Sequence, residues 1–137
     1  MPTIPWRTVA QPRPDNQYLV MASRLPLRSY RTIPRFMALT ASVIGQLERS
    51  TGVVGYSLRA QPMSRTFWTL SAWTGHIELE EFVRTMPHLA VMGRLRPHMG
   101  QTRFTTWTVP GTLLPIPWGQ AIERLMGPGA STGPSTT

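Results

Sequence analysis

Two neighbouring segments decide the fold: residues 53–61, VVGYSLRAQ, and residues 65–73, RTFWTLSAW. Both are rich in β-branched and aromatic residues, which favour β-strands. Only Pro62, Met63 and Ser64 separate them, so the pair is predicted to form a β-hairpin. The segments on either side of this hairpin then determine how the sheet is completed.

A strand and a helix are predicted before the hairpin. Residues 18–27, YLVMASRLPL, are apolar enough for a strand that ends near Pro26. In residues 29–50 the apolar side chains recur at spacings of three and four, which is the pattern of an amphipathic helix. Thr32 is a candidate N-cap, and Pro34 lies in the first turn, where its missing N–H costs nothing.

A second helical region and a fourth strand are predicted after the hairpin. Apolar residues from Leu79 onward recur at helical spacing, and the glutamates near the start of this region suit the helix dipole. Pro87 disfavours helical geometry at the residue before it, so the region is predicted to be broken there. Residues 102–109, TRFTTWTV, then form the last strand.

The predicted order is strand, helix, strand, strand, helix, strand. It indicates an α+β, ferredoxin-like βαββαβ domain at residues 18–109, with a four-stranded antiparallel sheet and both helices on one face. The other face would be apolar, so we expect a second copy to cover it in a homodimeric α/β barrel. Residues 1–17 are predicted to be a flexible Pro-rich arm. Residues 110–126 are predicted to be an extension with a short helix near 118–126, and 127–137 a disordered tail.

Composition narrows the class of protein. The 137 residues suit one domain, and the absence of cysteine excludes disulfides and thiolate metal sites. The net charge is +8, and all 14 basic residues are arginines. They are spread from Arg7 to Arg124 without a run, which argues against nucleic-acid binding. No segment resembles a membrane span or a signal peptide, so we expect no membrane partner and a cytoplasmic location.

Several stretches resemble a known family: SRL at 23–25, PRF at 34–36, RTFWTLSAW at 65–73, EEFVRTMPHLAVM at 80–92 and FTTWTV at 104–109. They are similar to the spheroidene-monooxygenase-like and antibiotic-biosynthesis-monooxygenase-like families. The resemblance implies a dimeric α/β barrel with a pocket between sheet and helices. Some members oxidise polycyclic aromatic or carotenoid substrates, some bind or degrade haem, and many have no known activity. The resemblance therefore implies fold more firmly than function.

His88 is the leading catalytic candidate. With Pro87 in the first turn of a new helix and Thr85 as its cap, His88 lies near a helix N-terminus, whose partial positive charge disfavours the imidazolium form. A neutral imidazole is what a general base or a metal ligand requires. The alternative is a histidine that is hydrogen-bonded to a neighbouring turn and has no chemical role.

The sequence leaves the cofactor open, as none or haem. Met92 lies one turn after His88 on the same helix face, so the two could not bind one haem iron from opposite sides. His88 alone could be a proximal ligand, although the family resemblance implies a ligand histidine nearer the position of Met92. Met92 and Phe82 are otherwise predicted to line a pocket. His76 and His98 are predicted to lie at the surface.

Aromatic residues and arginines on the strands are candidates for substrate binding. Trp68 and Trp73 could form a flat wall for a planar substrate, although strand alternation turns them to opposite faces. Arg24 and Arg59 fall mid-strand, where an unpaired guanidinium could attract a carboxylate, phenolate or phosphate. Both pairs also have a structural interpretation, as core or interface aromatics and as solvated arginines.

Three functions are consistent with these residues. The first is a monooxygenase-like oxidoreductase of secondary metabolism that acts on an aromatic or polyene small molecule, without a cofactor and with His88 as base. The second is a haem protein with His88 as ligand. The third is a non-catalytic dimer that binds a small hydrophobic ligand. The residue types alone do not decide whether the chain is an enzyme, and the family resemblance favours the first function.

Overall fold

The computed structural model describes residues 3–85, 88–128 and 130–133, without the side chains of Thr3, His88, Leu89 and residues 131–133. The described strands are β1 (Thr3–Thr8), β2 (Gln17–Pro26), β3 (Val53–Gln61), β4 (Thr66–Trp73), β5 (Thr102–Pro110) and β6 (Ser131–Gly133). The described α-helices are α1 (Ile33–Arg49), α2 (His76–Arg84), α3 (His88–Leu95) and α4 (Trp118–Met126). None of these helices has the length and apolar character that crossing a membrane requires.

The strands form one sheet in the order β1-β3-β4-β2-β5-β6, and every neighbouring pair is antiparallel. The inner four, β3-β4-β2-β5, are the four strands that the sequence predicts. Their order and helical connections are those of the ferredoxin-like βαββαβ fold, so the predicted α+β fold class is confirmed. The second helical region is divided as predicted, since α2 ends at Arg84 and α3 begins at His88.

Helices α1, α2 and α3 cover one face of the sheet. Phe36 and Leu47, two of the apolar residues at helical spacing in α1, are buried against it. Burial of a side chain of this size contributes roughly 1.5–3 kcal/mol to stability. Gln46 is also buried, and its Nε2 donates hydrogen bonds to the backbone oxygens of Phe82 at 3.0 Å and Thr85 at 3.3 Å. These bonds attach α1 to the end of α2.

Helix α4 covers the opposite face of the sheet. Ala121 and Leu125 are both 0% exposed, and they pack with Val20 and Trp107 in one apolar cluster. The sequence predicts that a second copy of the chain covers this face. In the structure the chain covers it with its own helix, because α4 presents a small and a large apolar residue one turn apart. The homodimer stays a prediction, but an uncovered apolar face of the sheet is no longer a reason to expect it.

Polar and cationic contacts anchor α4 at both ends. At its C-terminus, Arg103 donates from Nε to the Leu125 oxygen at 2.7 Å and from a terminal nitrogen to the Gly127 oxygen at 3.2 Å. These bonds place a positive charge at the negative end of the helix dipole. At its N-terminus, Trp118 Nε1 donates to Ser57 Oγ at 3.0 Å. The helix is therefore fixed in position as well as buried.

Strands β1 and β6 extend the sheet at its two edges, where the sequence predicts a flexible arm (1–17) and a disordered tail (127–137). Thr3–Thr8 pairs with β3, and Ser131–Gly133 pairs with β5. The side chain of Trp6 lies flat against Gly55, so closely that a Cβ there would come within 2.5 Å of the indole. The Trp6 ring, backbone hydrogen bonds and the contact of Arg7 with Glu48 thus hold this edge strand, and Ile4 packs against the apolar cluster beneath the helices. The other predicted boundaries, a domain at 18–109 and an extension at 110–126, stay predictions.

Candidate functional site

An apolar cavity of about 440 Å³ lies between the sheet and helices α1, α2 and α3. Its floor is formed by strand residues that point towards the helices, and its roof by the inner faces of the helices. Met37 of α1 belongs to the wall and is 48% exposed, so the cavity reaches the surface at this point of α1. A cavity of this size and character is typical of a small-molecule site.

Aromatic rings form two parts of the cavity wall. The Trp73 and Phe82 rings lie 5.1 Å apart at an interplanar angle of 46°, and Trp73 is only 1% exposed. The Phe36 and Phe67 rings lie 4.3 Å apart at 32°. Such tilted pairs are rigid and contribute about 0.5–1.5 kcal/mol beyond simple burial. They leave flat apolar surfaces towards the cavity.

Hydroxyl groups form a short polar line on the cavity floor, which the sequence reasoning missed. Ser23 Oγ and Thr69 Oγ1 are hydrogen-bonded to each other across β2 and β4. Ser71, two residues further along β4, accepts a hydrogen bond from Trp73 Nε1 at 2.8 Å. Strand alternation was the available signal, because Thr69, Ser71 and Trp73 share a face. The line offers neutral hydrogen-bonding groups in an otherwise apolar wall.

Tyr56 also contributes to the cavity wall and is held as a neutral phenol. It is 1% exposed, and its hydroxyl donates to Glu48 Oε2 at 2.9 Å. Burial raises the pKa of Tyr56 above its ordinary value, and the neighbouring Glu48 carboxylate raises it further. Arg7 lies 4.0 Å from the same carboxylate oxygen and links β1 to this pair. Tyr56 is therefore a hydrogen-bond donor and not a base.

His88 is the first residue of α3, the helix that closes one end of the cavity. Its side chain lies outside the described part of the structure, so its predicted role as base or ligand stays a prediction. Val91 and Met92, one turn later, both line the cavity. His76 and His98 are exposed, in agreement with the sequence prediction.

The six residues predicted to bind substrate do not all meet at one place. Trp73, Phe82 and Met92 lie on the cavity wall. Trp68 and Arg59 border the cavity too, but the Trp68 indole packs in the cluster beneath α4, on the opposite face of the sheet. Arg24 lies 5.6 Å from the centre of the Trp68 ring.

Strand register explains this division. Trp68 is directly opposite both Arg24 and Arg59, so the three side chains share the face of the sheet away from the helices. Trp73 lies five residues after Trp68 on the same strand, and an odd separation turns it to the other face. A single substrate cannot contact all six side chains through one face of the sheet. Their individual roles in binding stay predictions.

A haem group would need an axial ligand and cationic partners for its carboxylates. Among the described residues of the cavity wall, methionines such as Met92 are weak potential ligands, and the one cation, Arg59, has its side chain on the opposite face of the sheet. The described residues also contain no group of three or more His, Cys, Asp or Glu side chains that could hold a metal ion. No contact among them favours haem over a purely organic ligand.

The fold resembles several solved structures. SnoaB, a cofactor-independent oxygenase from Streptomyces nogalater, aligns with a TM-score of 0.57 and 16% sequence identity over 68% of this chain and 93% of that chain. A structure described as an antibiotic biosynthesis monooxygenase aligns with a TM-score of 0.57 and 13% identity over 66% of this chain and 95% of that chain. Protein SO0527 from Shewanella oneidensis aligns with a TM-score of 0.60 and 14% identity over 76% of this chain and 96% of that chain.

At these identities the likeness shows the fold alone. It agrees with the antibiotic-biosynthesis-monooxygenase-like part of the sequence resemblance, because proteins of that description are among the structural neighbours. The spheroidene-monooxygenase-like part stays a prediction. No protein-family model matches the sequence, and no curated protein matches it at a significant level.

Proposed function

We propose that the chain is a monooxygenase-like enzyme that binds an aromatic or polyene small molecule in the cavity between the sheet and helices α1 to α3. The observation that carries the proposal is the cavity itself, which offers about 440 Å³ behind an apolar, aromatic wall. The likeness of the fold to structures described as a cofactor-independent oxygenase and an antibiotic biosynthesis monooxygenase adds support for an oxygenase. The fold alone would not support it, since one fold hosts many activities.

The wall chemistry defines what the ligand would be. A planar, apolar ring system would lie against Trp73 and Phe82, whose flat surfaces face the cavity. A keto or hydroxyl oxygen on that ligand would hydrogen-bond to the line formed by Ser23, Thr69 and Ser71. These groups are neutral, so they suit an uncharged oxygen better than a carboxylate or phosphate.

The reaction that we propose needs one base and dioxygen. His88 would remove a proton from an acidic position of the bound ring system, which gives an electron-rich carbanion or phenolate. That anion can transfer an electron to dioxygen, and recombination of the radical pair forms a carbon–oxygen bond as a peroxide. The protonated His88 returns its proton to the peroxide anion, and the resulting hydroperoxide loses water together with the remaining hydrogen of the same carbon, which leaves a ketone. One oxygen atom therefore enters the product and one leaves as water. The apolar wall would favour delocalised anions over small, strongly hydrated ones.

A matched pair of variants tests the location of the site. Thr40 lines the cavity from α1, whereas Ser42 is exposed on the same helix and is not part of the wall. Thr40→Trp should fill the cavity and abolish both binding of a polycyclic phenol and its oxygen uptake. Ser42→Trp should leave both unchanged. Equal effects of the two substitutions would contradict the proposed site.

A second pair tests the base. His88→Ala should lower the rate of oxygen uptake by about 10²–10⁴-fold while leaving ligand affinity nearly unchanged. His98→Ala, at an exposed position, should have no effect on either quantity. Unchanged oxygen uptake after His88→Ala would exclude the proposed base.

The other predicted functions can be separated from this one by simple measurements. A Soret band in the absorbance spectrum after addition of hemin, lost in His88→Ala, would identify a haem protein. A protein that sediments as a dimer and binds the ligand without taking up oxygen would be a non-catalytic binding protein. We retain the homodimer as a proposal for which that sedimentation experiment is the test.

A further inference from the structure

One end of the molecule concentrates arginines that are far apart in the sequence. Strand β2 ends there beside the β3–β4 turn, where Leu27 N donates to the Arg65 oxygen at 2.8 Å. Residues 96–98 lie on its other side, because Arg28 N donates to the His98 oxygen at 2.9 Å. The first turn of α1 follows directly in sequence. The arginine-rich end, as we call it, carries Arg28, Arg31, Arg35, Arg65 and Arg96.

The acidic residues lie elsewhere. None of the six belongs to residues 26–37, 61–66 or 96–100, which form the arginine-rich end. Four of them, Glu48, Glu78, Glu80 and Glu81, are on the last turn of α1 or the first turns of α2. That region is the opposite end of the sheet, where Thr74 N donates to the Gly52 oxygen at 2.8 Å. The arginine-rich end therefore carries positive charge without acidic neighbours, whereas the opposite end mixes these glutamates with Arg49 and Arg84.

Exposed apolar side chains lie among these arginines. Met63, in the β3–β4 turn, is 88% exposed, and Tyr30 is 57% exposed. The Tyr30 hydroxyl donates to the Met63 oxygen at 2.6 Å, and the Arg65 guanidinium lies 5.2 Å from the Tyr30 ring centre. These contacts hold the Tyr30 ring at the surface beside the β3–β4 turn, which also carries the exposed Met63 side chain. Met37, which opens the cavity to the surface, lies two residues after Arg35.

We propose that the arginine-rich end docks on the surface of a lipid bilayer that contains anionic lipids. The guanidinium groups would contact lipid phosphates, and Tyr30 and Met63 would enter the layer between headgroups and acyl chains. Peripheral docking of this kind needs no membrane span, so it is compatible with the sequence and differs from the predicted absence of a membrane partner. The phosphates of a nucleic acid could bind the same arginines, but binding of nucleic acid would give the exposed Met63 side chain no role.

This inference does not rest on the proposed function, although the two are compatible. Docking in this orientation would bring the cavity opening at Met37 close to the acyl layer. A polyene or aromatic ligand dissolved in that layer could then enter the cavity without crossing water. The concentrated positive charge would orient the protein before contact, because an anionic surface attracts it more strongly than it attracts the mixed charges of the opposite end.

Vesicle flotation with the full chain tests the proposal. The two probes are vesicles of phosphatidylcholine alone and vesicles with about one third phosphatidylglycerol. The triple variant Arg31→Gln, Arg35→Gln, Arg96→Gln removes three exposed charges from the arginine-rich end, and Arg13→Gln, Arg49→Gln, Arg84→Gln removes three exposed charges elsewhere. Both variants carry a net charge of +5, from +8 minus three.

We expect the wild-type chain to float with the anionic vesicles and not with the neutral ones. The first triple variant should partition on the order of 100-fold more weakly, because each basic residue near an anionic surface contributes about 1 kcal/mol. The control triple variant should stay within about threefold of the wild type. Binding should weaken in 0.5 M salt. Met63→Ser should weaken partition more than Met126→Ser, which changes an exposed methionine on α4, outside the arginine-rich end.

Three results would overturn the proposal. The first is no flotation with anionic vesicles at low salt. The second is an equal loss in both triple variants, which would indicate a response to net charge alone. The third is a short DNA or RNA duplex that binds the arginine-rich end more tightly than the vesicles and displaces them, which would make this end a nucleic-acid interface. Failure of the oxygenase assays would not affect any of these outcomes.

Discussion

Truncation of Leu125 in α4 is the sharpest test of the way in which the second face of the sheet is covered. Leu125 is 0% exposed and packs in the apolar cluster beneath α4. Leu125→Ala should lower the free energy of unfolding by about 3 kcal/mol, within the 2–5 kcal/mol that buried leucines show. The backbone oxygen that accepts from Arg103 is retained, so the loss reports side-chain packing alone.

The assay is urea denaturation followed by tryptophan fluorescence. With a slope of about 2 kcal/mol per M, a loss of 3 kcal/mol moves the midpoint down by about 1.5 M. Met126→Ala is the matched control, because Met126 is the next residue of α4 and is 55% exposed. It should change stability by no more than about 0.5 kcal/mol.

Two results would refute this reasoning. If Leu125→Ala and Met126→Ala have equal effects, α4 does not pack on the sheet in solution. If the midpoint of the wild-type chain rises with protein concentration and Leu125→Ala removes that rise, a second copy shares the packing around Leu125 and the cover is not purely intramolecular. A midpoint that is independent of concentration, together with a large Leu125→Ala effect, supports the structure as described.

Further predictions concern individual side chains and glycines. Burial raises the pKa of Tyr56, so the stabilisation that comes from its neutral phenol is present below about pH 10 and is lost as the pH rises through the raised pKa. In urea titrations from pH 8 to 11, the free energy of unfolding should therefore fall more steeply for the wild type than for Tyr56→Phe. Arg103→Gln should lower the free energy of unfolding by about 1.5–3 kcal/mol in the same assay, since it removes charge-assisted bonds to the end of α4. Gly55→Ala should lower the melting temperature, because the new Cβ would meet the Trp6 ring. Gly93→Ala should raise the melting temperature, because nothing lies within 4 Å of a Cβ there and alanine is favoured in helices by about 1 kcal/mol.

Much of the fold could be predicted because its inner elements carry strong local patterns. The hairpin at 53–73 and the helix that begins near Thr32 were recognisable from residue type and spacing. Pro87 also marked the division between α2 and α3. The edge strands were not predictable in this way, because Thr3–Thr8 contains a proline and depends on pairing with a distant strand. Such contacts leave no periodic signal in a short segment.

The site was predictable only in part, for a related reason. Strand alternation placed Trp73 and Trp68 on opposite faces, but it could not decide which face has the cavity. That decision depends on where α4 packs, which is a tertiary property. The same limit applies to the arginines, which look scattered along the chain and yet gather at one end. Their clustering follows from strand direction and connection, as Arg28 and Arg65 illustrate.

The covering of the sheet by α4 has a consequence for how the protein is made. A ribosome adds about 5–20 residues per second, so roughly one to three seconds separate synthesis of Pro110 from synthesis of Met126. During that interval the four inner strands have been synthesised but α4 has not, so the apolar surface around Val20 and Trp107 lacks its cover. A nascent chain without α4 is prone to aggregate through this surface, which is also the kind of apolar surface that chaperones bind. A chain that stalls or terminates before α4 would keep this apolar surface exposed, whereas a chain that includes α4 covers it.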